Sequence, residues 1–178
     1  MIGKGRIALN RMAAPALHVE DFYRLASECG LGKVELRNDI PGKGIVDGLS
    51  LTAARTLARK TGIRVLTINA QQKFNLADRR EIVRRELEDL LRTAAELECE
   101  AVILCPNCDA ADDRSPPRRL AETAESLADF APLFERCGVT GHVEPLGFGV
   151  SSLSSIAAAA EAIRRSGAGC YRVVHDTF

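Results

Sequence analysis

Short apolar runs that read as strands begin every ~27–38 residues along this chain, the length of one βα unit. The runs are Arg6–Asn10, Lys33–Arg37, Arg64–Asn69, Ala101–Cys105, Val139–Glu144 and Tyr171–Asp176. Helical patterns lie between them, near residues 19–29, 51–61, 78–98, 117–137 and 152–166. The clearest helix places Val83, Leu87, Leu90, Leu91, Ala94 and Leu97 on one face, with Glu81–Arg85 and Glu88–Arg92 as i,i+4 pairs on the other. Gly30, Gly62, Gly138 and Gly167 each follow a helical pattern and precede a strand, where C-terminal caps belong. Repeated right-handed βαβ crossovers leave two architectures, an open doubly wound sheet or a closed (β/α)₈ barrel.

The faces of the strands choose between them. Asn10 lies in phase with Ala8, Arg37 with Glu35, Asn69 with Thr67, Glu144 with His142 and Asp176 with Val174, so one parity turns polar at each strand end. The other parity is apolar, as in Val34 and Leu36 or Leu66 and Ile68. A doubly wound sheet covers both faces with helices and needs both apolar, whereas a barrel strand turns polar at the active-site mouth. The expectation is an α/β protein of the (β/α)₈ TIM-barrel class, with about the first five βα units and strand six present. Residues 1–178 then form a single incomplete barrel domain, truncated at its C-terminal side and lacking the last two strands. Its first and sixth strands are open edges.

The 24 basic and 24 acidic residues cancel to a formal net charge of zero. That excludes binding to nucleic acid through a basic surface, and the absence of Trp weakens base stacking. A barrel nuclease would also need more than the three histidines present. With no apolar run of signal-peptide or membrane-span length, the expected compartment is the cytoplasm, with no membrane partner. In that compartment the six cysteines are expected as reduced thiols.

Glu144 and Asp176 stand at the C-terminal ends of successive expected strands, where a barrel builds a divalent-metal site. Taken without that context, Glu144 reads as a solvated loop acid and Asp176 as part of a frayed terminus. Arg37 fits a substrate hydroxyl or carbonyl, and equally a structural ion pair with Glu35. Asn10 and Asn69 fit substrate contacts or the caps of βα turns. His142 reads as a satisfied core histidine, His175 points toward the helices by parity, and His18 opens the first helix. Cys105-Pro-Asn-Cys108 has the C-x-x-C spacing, but no second such pair completes a zinc site, so an incidental reading is preferred. Gly42-Lys43-Gly44 lacks the spacing of a phosphate-binding loop and reads as a flexible loop.

The ordered segments Asn-Arg-Met-Ala-Ala-Pro (10–15), Val-Glu-Leu-Arg-Asn-Asp (34–39), Thr-Ile-Asn-Ala-Gln-Gln-Lys-Phe-Asn (67–75), Val-Glu-Pro-Leu-Gly-Phe (143–148) and Val-His-Asp-Thr-Phe (174–178) resemble the xylose-isomerase-like TIM-barrel sugar isomerases and epimerases. Within that family the resemblance is greatest to the 2-keto-myo-inositol (inosose) isomerases. It implies one divalent metal ion (manganese, magnesium, cobalt or zinc) held by Glu, Asp, His and Glu. Carried over, the first Glu is Glu144 and the Asp is Asp176; the His and second Glu belong to strands seven and eight. It further implies proton transfer through an enediolate, with Glu144 as acid/base and ligand and with Asn10, Arg37 and Asn69 near the substrate.

The expected function is therefore isomerisation or epimerisation of a keto-polyol or sugar, with the short chain itself inactive. The alternatives are a hydroxypyruvate- or ketose-type isomerase/epimerase of the same fold, or a non-catalytic barrel fragment whose open edges self-associate into a homo-oligomer.

Overall fold

The computed structural model describes residues 3–175. Six strands join in one sheet in chain order, β1 (Leu9–Asn10), β2 (Lys33–Arg37), β3 (Arg64–Gln71), β4 (Ala101–Leu104), β5 (Thr140–Val143) and β6 (Tyr171–Val173). The β1–β2, β2–β3 and β5–β6 pairs are parallel. An order that never reverses is that of a (β/α) barrel wall, whereas a doubly wound sheet reverses at a switch point. Helices α1 (Val19–Glu28), α2 (Leu51–Lys60), α3 (Arg80–Glu96), α4 (Pro116–Cys137) and α5 (Ile156–Ser166) alternate with the strands. Among the described residues, no helix is long and apolar enough to cross a membrane.

Four expected strands are shorter than the sequence indicated, β4 by one residue and β5 by one at each end, β1 and β6 by more. Residues 4–6 form a 3₁₀ turn, so β1 begins only at Leu9. At the other end β6 closes at Val173, and Asp176 lies outside the described residues. Helix α5 starts at Ile156 rather than at 152. The Ser155 side chain caps it by accepting from the Ala158 N–H at 3.2 Å, and Ser151 turns back on Leu153 through two hydrogen bonds. Serine hydroxyls that bond the local backbone compete with a helix in this way. The apolar face of α3 is buried as expected, but its acidic residues pair differently: Glu81 meets Arg84 at 3.9 Å and Glu88 meets Arg136 of α4 at 3.8 Å.

The chain divides into two compact units, residues up to 70 with 92–101, and residues 71–91 with 102 onward. In the first unit, α1 buries Val19, Phe22, Tyr23 and Ala26, one stripe at helical spacing. Its N-terminus is capped from a distance: the Asp47 carboxylate accepts the Val19 N–H at 2.7 Å and pairs with Arg11, whose side chain is fully buried. Arg11 also donates to the Ile45 carbonyl at 2.9 Å and the Gly44 carbonyl at 3.2 Å. One buried guanidinium thus binds the β2–α2 connection to the start of α1.

Strands β2 and β3 carry a bulge. Val34 faces Val65, but Glu35 faces Thr67, leaving Leu66 as the extra residue. Because Asn10 faces Glu35 and Arg37 faces Asn69, the bulge brings Asn10, Glu35 and Thr67 into one row across three strands.

In the second unit, α4 buries Leu127, Phe130, Ala131 and Phe134 and stops at Gly138, whose φ of 64° is the left-handed conformation of a helix end. The ring of Tyr171 stands edge-on to Phe134, with centroids 5.3 Å apart, and its hydroxyl donates to the Leu127 carbonyl at 2.8 Å. Gly141 of β5 lies against both rings: a Cβ there would meet Tyr171 at 2.5 Å and Phe134 at 3.1 Å. Gly141→Ala is expected to destabilise the protein by about 1–3 kcal/mol through overpacking. It should appear as a lower urea midpoint with an unchanged denaturant slope.

The β4–α4 connection is held by ions. Arg114, nearly buried, donates to Asp112 at 2.6 and 2.8 Å, to Glu122 at 2.6 Å and to the Asn75 carbonyl at 2.9 Å. The Arg114 hydrogen bonds hold the Asp112 carboxyl far below the usual carboxylate range, against the opposing effect of burial. A carboxyl with a depressed folded-state pKa stabilises the fold above its unfolded value of about 3.9, and loses that contribution as pH falls below it. Asp112→Asn is therefore expected to lower the urea midpoint at pH 7 and to flatten its decline below about pH 5. A midpoint-versus-pH series on both proteins reads this directly.

Candidate active site

Strand ends supply the polar residues. In the first unit Glu35 is the hub: its two carboxylate oxygens accept from Asn10 Nδ2 and from Thr67 Oγ1, each at 2.5 Å. Asn10 is engaged at its other end too, its Oδ1 accepting the Met12 N–H at 2.8 Å. That contact caps the 3₁₀ turn Arg11–Ala13, so the side chain is oriented by the protein. Arg37 does not pair with Glu35, although the two share a face. Its Nε and Nη2 make a two-point contact with Asp39 at 2.8 and 2.5 Å, and these bonds hold the Asp39 carboxyl below its ordinary value.

Asn69 is 8% exposed, and its side chain has no hydrogen-bond partner among the described residues. The peptide that follows it is cis, and the Asn38 side chain brackets Ala70 by accepting from its N–H at 2.8 Å and donating to its carbonyl at 3.1 Å. Of the three expected substrate contacts, Asn69 offers a whole amide, Asn10 its remaining N–H, and Arg37 a guanidinium already held by Asp39.

In the second unit, Glu144 follows directly on β5 and is 8% exposed. Its N–H donates to the Leu104 carbonyl at 3.1 Å, which extends the pairing of the strand by one step and fixes the residue at the strand end. The Cys105 thiol donates to Glu144 Oε2 at 3.4 Å. The C-x-x-C segment thus bears on the expected catalytic carboxylate through its first cysteine, and all six cysteines are free thiols. The β5–α5 connection that begins at Glu144 is tied to the β4–α4 connection by Asp109 N–H to Val150 carbonyl and Ser152 N–H to Asn107 carbonyl bonds of 3.2 and 2.8 Å. His142 is half-buried, His175 is exposed, and His18 is the N-cap residue of α1.

A divalent cation calls for anionic oxygen donors. Glu144, a largely buried carboxylate at a strand end, fits that demand in kind. Its expected co-ligand Asp176 lies outside the described residues, and among those described no group of three His, Cys, Asp or Glu converges on one point. Sequence reasoning missed Glu35, Thr67 and Asn38 as parts of the strand-end polar set. Glu35 and Thr67 were visible only as members of the polar parity.

The chain belongs to the xylose isomerase-like TIM barrel family, whose model matches residues 23–178. No curated protein sequence matches it. It is 39% identical to a xylose isomerase domain containing protein from Salmonella typhimurium LT2 with a TM-score of 0.88, covering 97% of this chain and 61% of that one. It also superposes on the IolI protein with a bound zinc atom (17% identity, TM-score 0.84, 93% of this chain and 60% of that one). A third likeness is to 3-keto-D-glucoside 4-epimerase from E. coli (15% identity, TM-score 0.75, 95% of this chain and 67% of that one). The chain spans about three-fifths of the length of the first two. The last two, at low identity, share the fold.

Proposed function

We propose that this chain belongs to a divalent-metal-dependent isomerase or epimerase of a keto-polyol or sugar, with an inosose as substrate. The reading takes residues 1–178 as one barrel domain and places the enzyme in the cytoplasm. The observation that carries it is Glu144, a largely buried carboxylate fixed at the end of a barrel strand. Membership of a fold that includes a sugar epimerase and a zinc-binding protein supports it.

Glu144 takes a proton from the carbon beside the substrate carbonyl, leaving an enediolate, and a proton returned to the neighbouring carbon or to the opposite face completes isomerisation or epimerisation. Glu144 and Asp176 would hold the metal ion, which when bound polarises the substrate's carbonyl and hydroxyl oxygens. Asn69 supplies an amide to a substrate hydroxyl. The Glu35 row fixes Asn10, and Asp39 fixes Arg37, so both donors are oriented before substrate arrives.

The test is deuterium incorporation. The full-length protein, loaded in turn with manganese, magnesium, cobalt or zinc, is incubated with 2-keto-myo-inositol in D₂O and followed by NMR. Exchange next to the carbonyl is expected with at least one metal, and its absence with all four sinks the inosose assignment. Running hydroxypyruvate and a ketose in parallel separates the substrate classes.

A further inference from the structure

Cys105 follows directly on β4, as Glu144 does on the neighbouring β5, and is 4% exposed. Its backbone is stapled to the end of β3. The Cys105 N–H donates to the Gln71 carbonyl at 2.9 Å, and its carbonyl accepts the Phe74 N–H at 3.3 Å. Two positions on, the Asn107 N–H donates to Asn75 Oδ1 at 2.9 Å. Asn75 is fully buried and gives its own amide N–H groups to Thr123 Oγ1 at 3.0 Å and Ser152 Oγ at 2.9 Å. Ser152 belongs to the connection that begins at Glu144, and its N–H returns to the Asn107 carbonyl at 2.8 Å. The segment carrying Cys105 and the segment after Glu144 are thus clamped to one buried amide, and a buried network bonded this fully is rigid.

We infer that Cys105 is a positioning residue for Glu144, its thiol holding the carboxylate in the orientation that meets the metal ion. The inference rests on the ligand role proposed above for Glu144. The bond from the Glu144 N–H to the Leu104 carbonyl fixes the backbone, but a glutamate side chain keeps several rotatable bonds, and ordering them costs entropy. The thiol, donating to Oε2 at 3.4 Å, supplies a restraint at the carboxylate itself. Cys99, also buried, gives its thiol to the nearby Ala101 carbonyl at 3.2 Å, a local contact that reaches no acid. The choice of donor also suits the task. Glu35 receives an amide and a hydroxyl, whereas a thiol is a weak donor that orients Glu144 while leaving its oxygens able to hold a cation. Carboxylates that bind metals are themselves held by hydrogen bonds, and losing such a partner costs about 10–100-fold in metal affinity or activity.

The test is a calorimetric titration of the full-length protein with manganese, a cation that prefers oxygen ligands to thiolate. Cys105→Ala is expected to weaken binding by about tenfold or more. Cys105→Ser, whose hydroxyl donates from the same position, should recover most of that loss, and Cys108→Ser should match the parent. Infrared spectra of the S–H stretch give a second reading that needs no turnover. The band missing from Cys105→Ser belongs to this thiol, and Glu144→Gln should move it to higher frequency, because an amide oxygen accepts more weakly than a carboxylate. Three results overturn the proposal: manganese binding by Cys105→Ala as tight as the parent's, a Cys105 band that Glu144→Gln leaves in place, or a band that vanishes when manganese is added, which would make the sulfur a ligand. A parent that binds no manganese, yet whose band answers to Glu144→Gln, would count against the metal-dependent reading and leave the contact standing.

Discussion

Glu144→Gln in the metal-loaded full-length enzyme is expected to lower the rate of α-proton exchange by about 10²–10⁴-fold, the span that a positioned acid/base group supplies. The substitution keeps the shape of the side chain and an oxygen to accept from the Cys105 thiol, 3.4 Å away in the parent. The carboxylate is largely buried and its own N–H is fixed on the Leu104 carbonyl, so the backbone has no reason to move. Loss of exchange with an unchanged urea midpoint is the predicted pair of readings. Retention of exchange within about threefold would remove Glu144 from the chemistry, because no acid/base role is that small.

Arg11→Met is expected to destabilise the protein by about 3–5 kcal/mol, the range for removing one partner of a buried ion pair. Arg11 is fully buried and the Asp47 side chain is 5% exposed, so water cannot replace the lost guanidinium. Asp47 would then keep a buried charge, and the Gly44 and Ile45 carbonyls would lose their donor. The same carboxylate caps α1 at Val19, where His18 provides no side-chain cap, so the damage extends to the helix start. Adding Asp47→Asn to the Arg11 variant removes the stranded charge while keeping an oxygen for the Val19 N–H, and should recover part of the loss. Equilibrium urea unfolding of the parent, both single variants and the double variant gives the coupling. If the double variant is no better than the single, the stranded charge is not the cause.

Periodicity carried the fold because the repeated signals agree with one another. Lys33–Arg37 is a strand with the anticipated bounds, buried at Val34 and Leu36 and half-buried at Lys33, Glu35 and Arg37. Along α3 every anticipated face residue from Val83 to Leu97 is buried. Neither result needs knowledge of a partner, since alternation at two or at 3.6 residues is local. The strand-end set was only half legible for the opposite reason. Parity placed Glu35 and Arg37 on one face and invited a pair between them, but Arg37 turns to Asp39, and Glu35 is taken by Asn10 and Thr67 from two other strands. Which neighbour wins depends on register between strands, and register is not written in any one strand. Arg11 shows the same limit. Nothing in Asn-Arg-Met marks an arginine that will be fully buried, because its partners Gly44, Ile45 and Asp47 lie more than thirty residues away.

The bulge at Leu66 has a bearing on how such a barrel changes over generations. Upstream of it, β3 is locked to β2 by the packing of Val65 beside Val34; downstream, the facing of Thr67 and Asn69 is set relative to Glu35 and Arg37. One surplus residue therefore separates the Val34–Val65 register from the Glu35–Thr67 and Arg37–Asn69 register. A lineage that gains or loses a residue at this point changes the register of the far end of β3 while Val65 keeps its partner. Single-residue insertions and deletions, which in a regular strand would turn every side chain over, are absorbed here at the bulge.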